Sequence, residues 1–259
     1  MPAIHPTHIV PTDDPLLLAL ETATDSCGVA LARGAEVLVA QTLGTPRSHA
    51  EWLPALIQDA LRYAHVRPED LDAVAVSMGP GSYTGLRIGV SAAKGLCFAR
   101  GIPLIGIPTL EALAWVCLPF TQPGDRMAVA LNSRRDEVYL GVFEALDGGG
   151  MAETVPASAL AVAETPAVMP TAYPGALWVI GEGARAIEAG CRAVAGDATR
   201  LVPGIAPSPV TVARRGLERW RQGAFEDLAS FEPFYLKDFI PLEKRGTLFD
   251  RLPFGGKAT

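Results

Sequence analysis

The sequence predicts a mixed α/β fold in which helices cover β-sheets, and three observations support this fold class. Short apolar runs of strand length open the chain, at 16–20, 28–32 and 37–40. Helical segments then alternate with strand-like runs, beginning with 48–64 and 85–100. The composition, 49% hydrophobic and 19% charged, excludes intrinsic disorder, and no run reaches the roughly 20 apolar residues that span a bilayer.

The first half of the chain contains the predicted strands and helices in the following order. The three opening runs are separated by short polar or glycine-bearing stretches, so they predict three successive strands. Within 48–64, Leu53, Ile57 and Leu61 recur on one helical face, which predicts an amphipathic helix. Further elements are predicted as strands at 73–76 and 104–107 and helices at 85–100 and 110–117.

The second half begins after a Pro- and Gly-rich stretch at 119–125, where we predict a boundary between two lobes. Strands are predicted at 127–131, 138–143 and 178–180, a last helix at 210–222, and only loops with at most one short helix around Gly148–Gly150 and over 154–174. The predicted domains are an extension at 1–14, a first lobe at 15–118, a smaller lobe at 126–207, and a helix and tail at 208–259 that pack back on the body.

Charge, cysteines and the first residues restrict the functional classes. A net charge of −6 argues against binding RNA through the overall field of the protein, so contact with RNA is expected to be local or made by a partner. The cysteines, Cys27, Cys97, Cys117 and Cys191, are far apart and form no CxxC pair, which indicates structural thiols. Residues 1–14 lack the basic start and apolar stretch of a secretory signal, so we expect a cytoplasmic protein without membrane association.

The most distinctive segment, 77–87, combines a strand end, a tight turn and a helix start. Its backbone N–H groups and the helix dipole are suited to an anion. It is not a Walker A loop, because Gly79 and Gly85 enclose five residues and Leu86 and Arg87 follow. The alternative is that the glycines let the strand turn sharply into the helix. Ser82 is predicted to begin the helix rather than to act as a nucleophile.

The histidines offer no metal site, and the acidic and basic candidate residues each have two interpretations. The four histidines, His5, His8, His49 and His65, have no metal-ligand spacing. The acidic residues near strand ends, Glu21, Asp25 and Asp136, are suited either to a nucleotide or metal, or to turns. The basic residues Arg134, Arg135, Arg214, Arg215, Arg219 and Arg221 form clusters that either contact RNA or are solvated faces.

The glycine loop also carries a family resemblance. The run Gly79, Pro80, Gly81, Ser82, Tyr83, Thr84, Gly85, Leu86, Arg87, Ile88, Gly89 resembles the GPGSFTGxRIG signature of the TsaB (YeaZ) family, whose catalytic relatives are TsaD proteins. Supporting similarities occur at 20–24, 47–49, 53–54, 102–110, 134–139 and 232–237, so the resemblance extends from Leu16 to about Lys237. The extension through Asp14 is a departure from the family pattern.

This resemblance implies two RNase H-like lobes of the actin/Hsp70/sugar-kinase superfamily, and a non-catalytic scaffold or dimerisation subunit of tRNA threonylcarbamoyladenosine biosynthesis. The implied partners are a TsaD-like catalytic subunit, a TsaE-like ATPase, tRNA through the complex, and a second copy when alone. In the catalytic relatives an HxxxH pair binds the metal, and Thr109 and Leu113 occupy those positions here. We therefore expect no metal, no catalysis and no intrinsic cofactor, with weak nucleotide binding at the partner interface as an option. The turn at 22–25 has no glycine, so it matches the superfamily's phosphate hairpin poorly.

A partner surface is predicted from the helix that follows the glycine loop. Leu86, Val90, Ala93 and Cys97 form one stripe suited to cover a sheet, and Ile88, Ala92, Gly95 and Ala99 form a second stripe. We predict that the second stripe, with Trp52 and Tyr63 of the preceding helix, forms a helical-bundle interface. The alternative is that the chain's own tail from Phe231 covers these faces.

Three other functions compete with the scaffold hypothesis. A glycoprotease-like metallopeptidase would need metal ligands that the sequence does not offer. An ATP-dependent phosphotransferase of the sugar-kinase type would need an aspartate-centred phosphate hairpin. A structural homodimer without a role in tRNA modification stays open, because fold analogy does not fix function.

Overall fold

A computed structural model describes residues 12–44, 48–134, 136–169 and 174–236. These residues form two five-stranded mixed sheets with helices packed on them. The predicted α/β class with two lobes of mixed sheets is therefore confirmed. In the described part of the chain, no helix is both long and apolar enough to cross a membrane.

The first sheet has the order β3-β2-β1-β4-β5. Its strands are β1 Leu16–Glu21, β2 Cys27–Arg33, β3 Glu36–Leu43, β4 Ala73–Gly79 and β5 Leu104–Pro108. The first three strands are antiparallel, and β4 and β5 are added in parallel to β1. Every residue of β1 is buried, because helices cover this strand on both faces of the sheet.

The second sheet repeats this arrangement, with the order β8-β7-β6-β9-β10. Its strands are β6 Arg126–Asn132, β7 Glu137–Ala145, β8 Met151–Ala161, β9 Leu177–Gly181 and β10 Thr199–Pro203. Again an antiparallel meander of three strands is extended by two parallel strands. The two lobes thus share one topology.

Within the described ranges, six α-helices accompany the sheets: α1 His49–Tyr63, α2 Tyr83–Arg100, α3 Thr109–Cys117, α4 Thr165–Val168, α5 Ala184–Ala195 and α6 Pro209–Arg221. Helices α1 and α2 pack on one face of the first sheet and α6 on the other. Helix α5 covers one face of the second sheet. Helix α3 follows β5 directly, but most of its apolar residues lie in the core of the second sheet, and Ala112 lies in the core of the first.

The prediction of loops over 154–174 is wrong for its first part, because β8 is an eleven-residue strand. This strand lies at the edge of its sheet, where Pro156 is tolerated since one side needs no ladder hydrogen bond. The helix α5 and strand β10 were not predicted. The buried face of α5 is made by Ala184, Ile187 and Cys191, which recur at helical spacing but include only one large apolar side chain.

The segment after α6 returns to the first lobe. Glu226 forms an isolated bridge with Leu104 of the edge strand β5, and Phe231 is buried in the core beneath α1 and α2. The Phe234 N–H donates to the Met78 carbonyl at 2.7 Å. This segment therefore packs on the body as far as Leu236, and the rest of the predicted tail, 237–259, lies outside the described residues.

Candidate functional site

The signature loop connects β4 to α2 through close backbone contacts. Gly79 has a φ of 118°, a conformation that side chains rarely adopt, and a Cβ there would collide with the Phe234 carbonyl. At Gly85, in the first turn of α2, a Cβ would collide with the Thr22 carbonyl. The glycines therefore allow the loop to pack directly on backbone, Gly79 on that of Phe234 and Gly85 on that of Thr22, which supports the packing interpretation of the motif.

Two amide groups at the start of α2 are used inside the chain. The Ser82 N–H donates to the Ala23 carbonyl at 2.6 Å. The Gly85 N–H donates to Ser82 Oγ at 3.3 Å, so Ser82 is the N-cap of α2 as predicted. The Ser82 bond connects the start of α2 to the β1–β2 turn, and both bonds reduce the number of N–H donors available to an anion.

The remaining signature residues form a polar surface at the start of α2. The Arg87 Nη1 donates to the Tyr83 hydroxyl at 3.2 Å, and its guanidinium lies 5.5 Å from the centre of the Tyr83 ring. The Tyr235 ring lies 4.9 Å from the Tyr83 ring, and burial raises the pKa of Tyr235, with a smaller effect of Tyr83. Because Thr84 and Arg87 are exposed, this part of the motif is available to a partner.

A groove of about 480 Å³ runs between α1 and α2, and we call it the helix groove. It is lined by Ala50, Leu53, Pro54, Tyr83, Thr84, Arg87, Ile88, Ser91 and Ala92. Most of these residues are apolar or small, which allows the close approach of another helix. Arg87 places a charge at the edge of the groove.

The predicted interface residues divide into two groups. Ile88 and Ala92 are half-buried in the helix groove, and Gly95 and Ala99 continue the exposed face of α2 beyond it. Trp52 and Tyr63 are exposed on α1 but do not line the groove. At 3.6 residues per turn they lie on roughly the opposite side of α1 from the groove. The first stripe, Leu86, Val90, Ala93 and Cys97, is buried against the sheet as predicted.

A second cavity of about 400 Å³, the turn cleft, lies between the β1–β2 turn and the β6–β7 turn. It is lined by residues 23–25, 81–83, 131–134 and 234–236 with Tyr139 and Glu182. Next to it, Glu21 is fully buried, with Oε1 accepting the Ala23 N–H at 2.6 Å and Oε2 accepting the Ser77 hydroxyl. Burial raises the pKa of Glu21 to about 7, against the opposing effect of the Ser77 hydrogen bond.

The strand-end acids and the basic clusters have different environments. Asp25 is exposed at the turn cleft, where desolvation and the charge of Asp25 raise the pKa of Glu182. Asp136 has a φ of 57° and accepts the Val162 N–H through its carbonyl, so it is a turn residue. Glu21 agrees with the turn interpretation, because its buried carboxyl group accepts the Ala23 N–H of the β1–β2 turn. Among the basic clusters, Arg134, Arg214 and Arg221 are exposed, whereas Arg215 and Arg219 are ion-paired, and Arg135 lies outside the described residues.

The residues at the family's metal positions do not fit a metal. Thr109 and Leu113 are both fully buried, and the Thr109 hydroxyl has no hydrogen-bond partner within the described structure. In the described ranges, no group of three or more His, Cys, Asp or Glu side chains is arranged for a metal ion. His49 instead lies with Nε2 at 3.0 Å from the Thr24 carbonyl, beneath the β1–β2 turn.

The other candidate ligands do not change this result. His65 is exposed with a φ of 53°, and His5 and His8 lie outside the described residues. All four cysteines are buried and unpaired, and burial raises the pKa of each thiol, that of Cys97 to about 12. The prediction of structural thiols agrees with these environments.

Sequence analysis missed two features near the site. Phe98 is 67% exposed on α2, between Gly95 and Ala99 in the sequence, and a helical-wheel plot of the whole helix would have found it. Glu111 on α3 forms ion pairs with Arg215 and Arg219 on α6, at 3.0 Å between Arg219 Nη2 and Glu111 Oε2. Their separation of about a hundred residues gives no local signal for this contact.

Comparisons with known proteins give a consistent family. A family model described as TsaD, tRNA N6-adenosine threonylcarbamoyltransferase, matches residues 43–187. The chain is 34% identical over 133 residues to the tRNA threonylcarbamoyladenosine biosynthesis protein TsaB of Escherichia coli, covering 51% of this chain and 57% of that protein. The chain thus spans about half the length of the curated TsaB relatives it matches.

Two further relatives are matched over more of their length. An uncharacterised protein of Mycobacterium tuberculosis is 35% identical over 160 residues, which cover 58% of this chain and 72% of that protein. The solved structure of YeaZ from Pseudomonas aeruginosa superposes with a TM-score of 0.72 at 27% identity, over 86% of this chain and all of that one.

Proposed function

Because the chain belongs to the tRNA N6-adenosine threonylcarbamoyltransferase (TsaD) family, we propose that it is a non-catalytic subunit that binds a TsaD-like catalytic partner. In this role it supports the formation of N6-threonylcarbamoyladenosine in tRNA, the biosynthesis for which its TsaB relatives are named. The proposal places the protein in the cytoplasm, with the tRNA it serves.

The observation that carries this proposal is the exposed face of α1 and α2. Ile88 and Ala92 line the helix groove while Gly95 and Ala99 extend the same face into solvent, and Phe98 is exposed beside this face. No residue within 4 Å would meet a Cβ at Gly95, so the described part of the tail does not cover this position. An apolar face with small residues is suited to the close packing of a partner helix, with Phe98 as an aromatic anchor.

The absence of intrinsic catalysis is proposed from the residues at the metal positions. Thr109 and Leu113 offer no imidazole, and both side chains are buried away from solvent. Glu21, the group near the turn cleft whose pKa is raised to about 7, is enclosed between strands and hydrogen-bonded to Ser77. A buried carboxyl group in this position stabilises the turn and is not exposed to a substrate.

Other members of the assembly follow from the same proposal. A TsaE-like ATPase joins the complex, tRNA is reached through the partner, and the free chain pairs with a second copy through the same helical face. Nucleotide binding is weak and limited to the partner interface. The net charge of −6 supports indirect contact with tRNA, since phosphate binding requires clustered Lys and Arg.

The test is to place a charge in the helix groove. Ala92→Arg should weaken binding of the TsaD-like partner by about 2 to 5 kcal/mol, which is at least about 30-fold in Kd, because the contact would bury an unpaired charge. Ala189→Arg, on the exposed side of α5 in the second lobe, is the matched control and should bind like the parent. Isothermal titration measures Kd, and circular dichroism checks the fold. Parental affinity in a well-folded Ala92→Arg protein would place the interface elsewhere.

A threonylcarbamoyl-transfer assay distinguishes the proposed function from its competitors. The pure chain should transfer no threonylcarbamoyl group from threonylcarbamoyl-adenylate to tRNA, whereas adding the TsaD-like partner and its ATPase should restore transfer. Mass spectrometry of the modified adenosine decides between these outcomes. Transfer by the pure chain would refute the non-catalytic role. A reconstituted pair that works equally well without this chain would favour a structural homodimer with no tRNA function.

A further inference from the structure

Arg87 is the one charged residue among those that line the helix groove in the described structure. The other lining residues are apolar, small or hydroxyl-bearing. Arg87 is exposed and forms no ion pair with any described residue. Lys94 on the same helix is instead used within the chain, where its Nζ donates to the Phe231 carbonyl at 2.8 Å. A positive charge without a counter-charge from the described chain is therefore left at the edge of the groove.

The guanidinium group of Arg87 is held against Tyr83. Its Nη1 donates to the Tyr83 hydroxyl at 3.2 Å, and its Cζ lies 5.5 Å from the centre of the Tyr83 ring. The two residues are neighbours on the surface of α2, so the contact holds the long arginine side chain in one orientation. The bond to Tyr83 uses only part of the N–H donors of a guanidinium group, which leaves donors for an acceptor outside the described chain.

Tyr83 is in turn packed against the segment that follows α6. The Tyr235 ring lies on the Tyr83 ring, with the two centres 4.9 Å apart. The backbone beside Tyr235 is anchored, because the Phe234 N–H donates to the Met78 carbonyl at 2.7 Å. A chain of contacts therefore connects this anchored segment through Tyr235 and Tyr83 to the guanidinium group of Arg87.

A partner that covers the helix groove would remove water from Arg87. Burying a guanidinium group is unfavourable unless an acceptor of opposite charge replaces the water. The Tyr83 hydroxyl compensates only in part, because a phenol is a weaker acceptor than a carboxylate. A carboxylate presents two oxygens that match the planar fork of a guanidinium group. The surface that packs on this groove is therefore expected to bring an acidic side chain to Arg87.

We propose that an Asp or Glu side chain on the docking helix of the TsaD-like partner pairs with Arg87, and that Tyr235 is a positioning residue that holds Arg87 for this pair through Tyr83. The pair rests on the proposed function, because it lies on the face that binds the partner. It adds the chemistry that selects the partner. The small residues of the groove admit any closely packing helix, whereas Arg87 requires an acid at one position on that helix.

A carboxylate is favoured over a phosphate group, the other anion that guanidinium groups commonly bind. Proteins recognise phosphate groups with clusters of basic residues. In the part of the groove that the structure describes, Arg87 is not joined by a second basic residue, and Leu53, Ile88 and Ala92 give the walls an apolar character. A single guanidinium group beside apolar walls matches one carboxylate on an otherwise apolar helix face.

Isothermal titration of the full chain with the TsaD-like partner tests the pair. Arg87→Glu should raise Kd by at least about 10-fold, because repulsion replaces attraction at the contact. Arg214→Glu, exposed on α6 across the first sheet, changes the net charge equally and should bind like the parent. Changing one acid of the partner's docking helix to Lys should restore the binding of Arg87→Glu. A parental Kd for Arg87→Glu, or no restoring position among the partner's exposed acids, would overturn the pair.

The salt dependence of Kd tests the positioning role of Tyr235. Tyr235→Ala should raise Kd by about 3-fold and flatten its salt dependence as Arg87→Met does, since both changes weaken the charge pair. Tyr235→Phe keeps the ring and should retain the parental Kd and salt dependence. Phe120→Ala removes another exposed ring and should have neither effect. A parental Kd for Tyr235→Ala, or a raised Kd with the parental salt dependence, would refute the positioning role.

Ala92→Arg distinguishes failure of this pair from failure of the proposed docking face. If Ala92→Arg loses binding while Arg87→Glu keeps it, the docking face stands and the pair with a carboxylate is refuted. If both variants bind like the parent, the docking face lies elsewhere and both proposals are overturned. Circular dichroism of each variant confirms that a loss of binding is not a loss of fold.

Discussion

The buried carboxyl group of Glu21 should make the stability of the free chain depend on pH. It lies at the end of β1, fully buried, where it accepts hydrogen bonds from the Ser77 hydroxyl and the Ala23 N–H. Burial raises the pKa of Glu21 from 4.5 to about 7, and repulsion by Glu182 adds to this effect. The Ser77 hydrogen bond acts in the opposite direction.

The direction of this pH dependence is set by whether the folded or the unfolded state keeps the proton on Glu21. Between pH 4.5 and about 7 the folded protein holds a proton on Glu21 that the unfolded chain has released, so the free energy of unfolding falls as the pH rises. The stabilisation is complete below pH 4.5 and is lost as the pH passes through about 7. At 1.36 kcal/mol per pKa unit, the loss amounts to about 3 kcal/mol.

Glu21→Gln removes this titration while keeping the shape of the side chain. The amide can still accept the Ala23 N–H and donate to Ser77 Oγ. Relative to the parent, the variant should therefore gain about 3 kcal/mol between pH 4.5 and pH 7.5, measured by urea denaturation at fixed ionic strength. Ser77→Ala should raise the pKa of Glu21 further and extend the decline in stability to higher pH. A difference between parent and Glu21→Gln that does not change with pH would refute the reasoning.

Two further predictions concern the glycine loop and metal content. Gly85→Ala should cost about 1 to 3 kcal/mol in urea denaturation, because the new methyl group meets the Thr22 carbonyl, whereas Gly95→Ala, with open space around it, should stabilise the same helix by about 0.5 to 1 kcal/mol. Equal effects of the two changes would show that helix propensity alone governs both. Elemental analysis of the chain purified without chelators should find no stoichiometric zinc or iron, since Thr109 and Leu113 offer no imidazole, and one metal ion per chain would contradict this.

The first lobe could be predicted almost completely from the sequence. Four of its five strands are apolar runs that are almost entirely buried, as in β1, whereas β3 is half-exposed, and its helix α1 has a regular apolar period with Leu53 and Ile57 in the core. For such elements, the local composition and periodicity are enough to predict which residues are buried. The sequence also predicted a sharp strand-to-helix turn at the glycine loop as one of two interpretations, and the structure explains its glycines, since a Cβ at Gly79 or Gly85 would collide with a backbone carbonyl.

The second lobe was harder because its missed elements contain few large apolar side chains. Strand β8 is at a sheet edge and contains Pro156, so its exposed and half-buried residues resemble a loop. Helix α5 is rich in alanine and buries few large side chains. In both cases the structure depends on pairing or packing with residues distant in sequence, which a single sequence does not reveal.

In the candidate site, too, some features could be predicted from the sequence and others could not. The buried stripe of α2 and the exposed second stripe followed from helical spacing. The position of Trp52 and Tyr63 did not, because the rotation of α1 relative to α2 is set by packing on the sheet. The burial of Glu21 could not be predicted either, since its partner Ser77 lies on a different strand.

The contact of α3 with α6 has a mechanical consequence. Helix α3 is anchored in the core of the second sheet, while Glu111 on the same helix is ion-paired to Arg215 and Arg219 of α6, which packs on the first sheet. A hinge requires a junction with few contacts, and this junction has a shared helix and a charged clamp instead. The two lobes are therefore expected to move as one rigid frame. Such a frame is poorly suited to closing around a substrate. It is well suited to keeping the exposed face of α1 and α2 in one fixed shape for a partner.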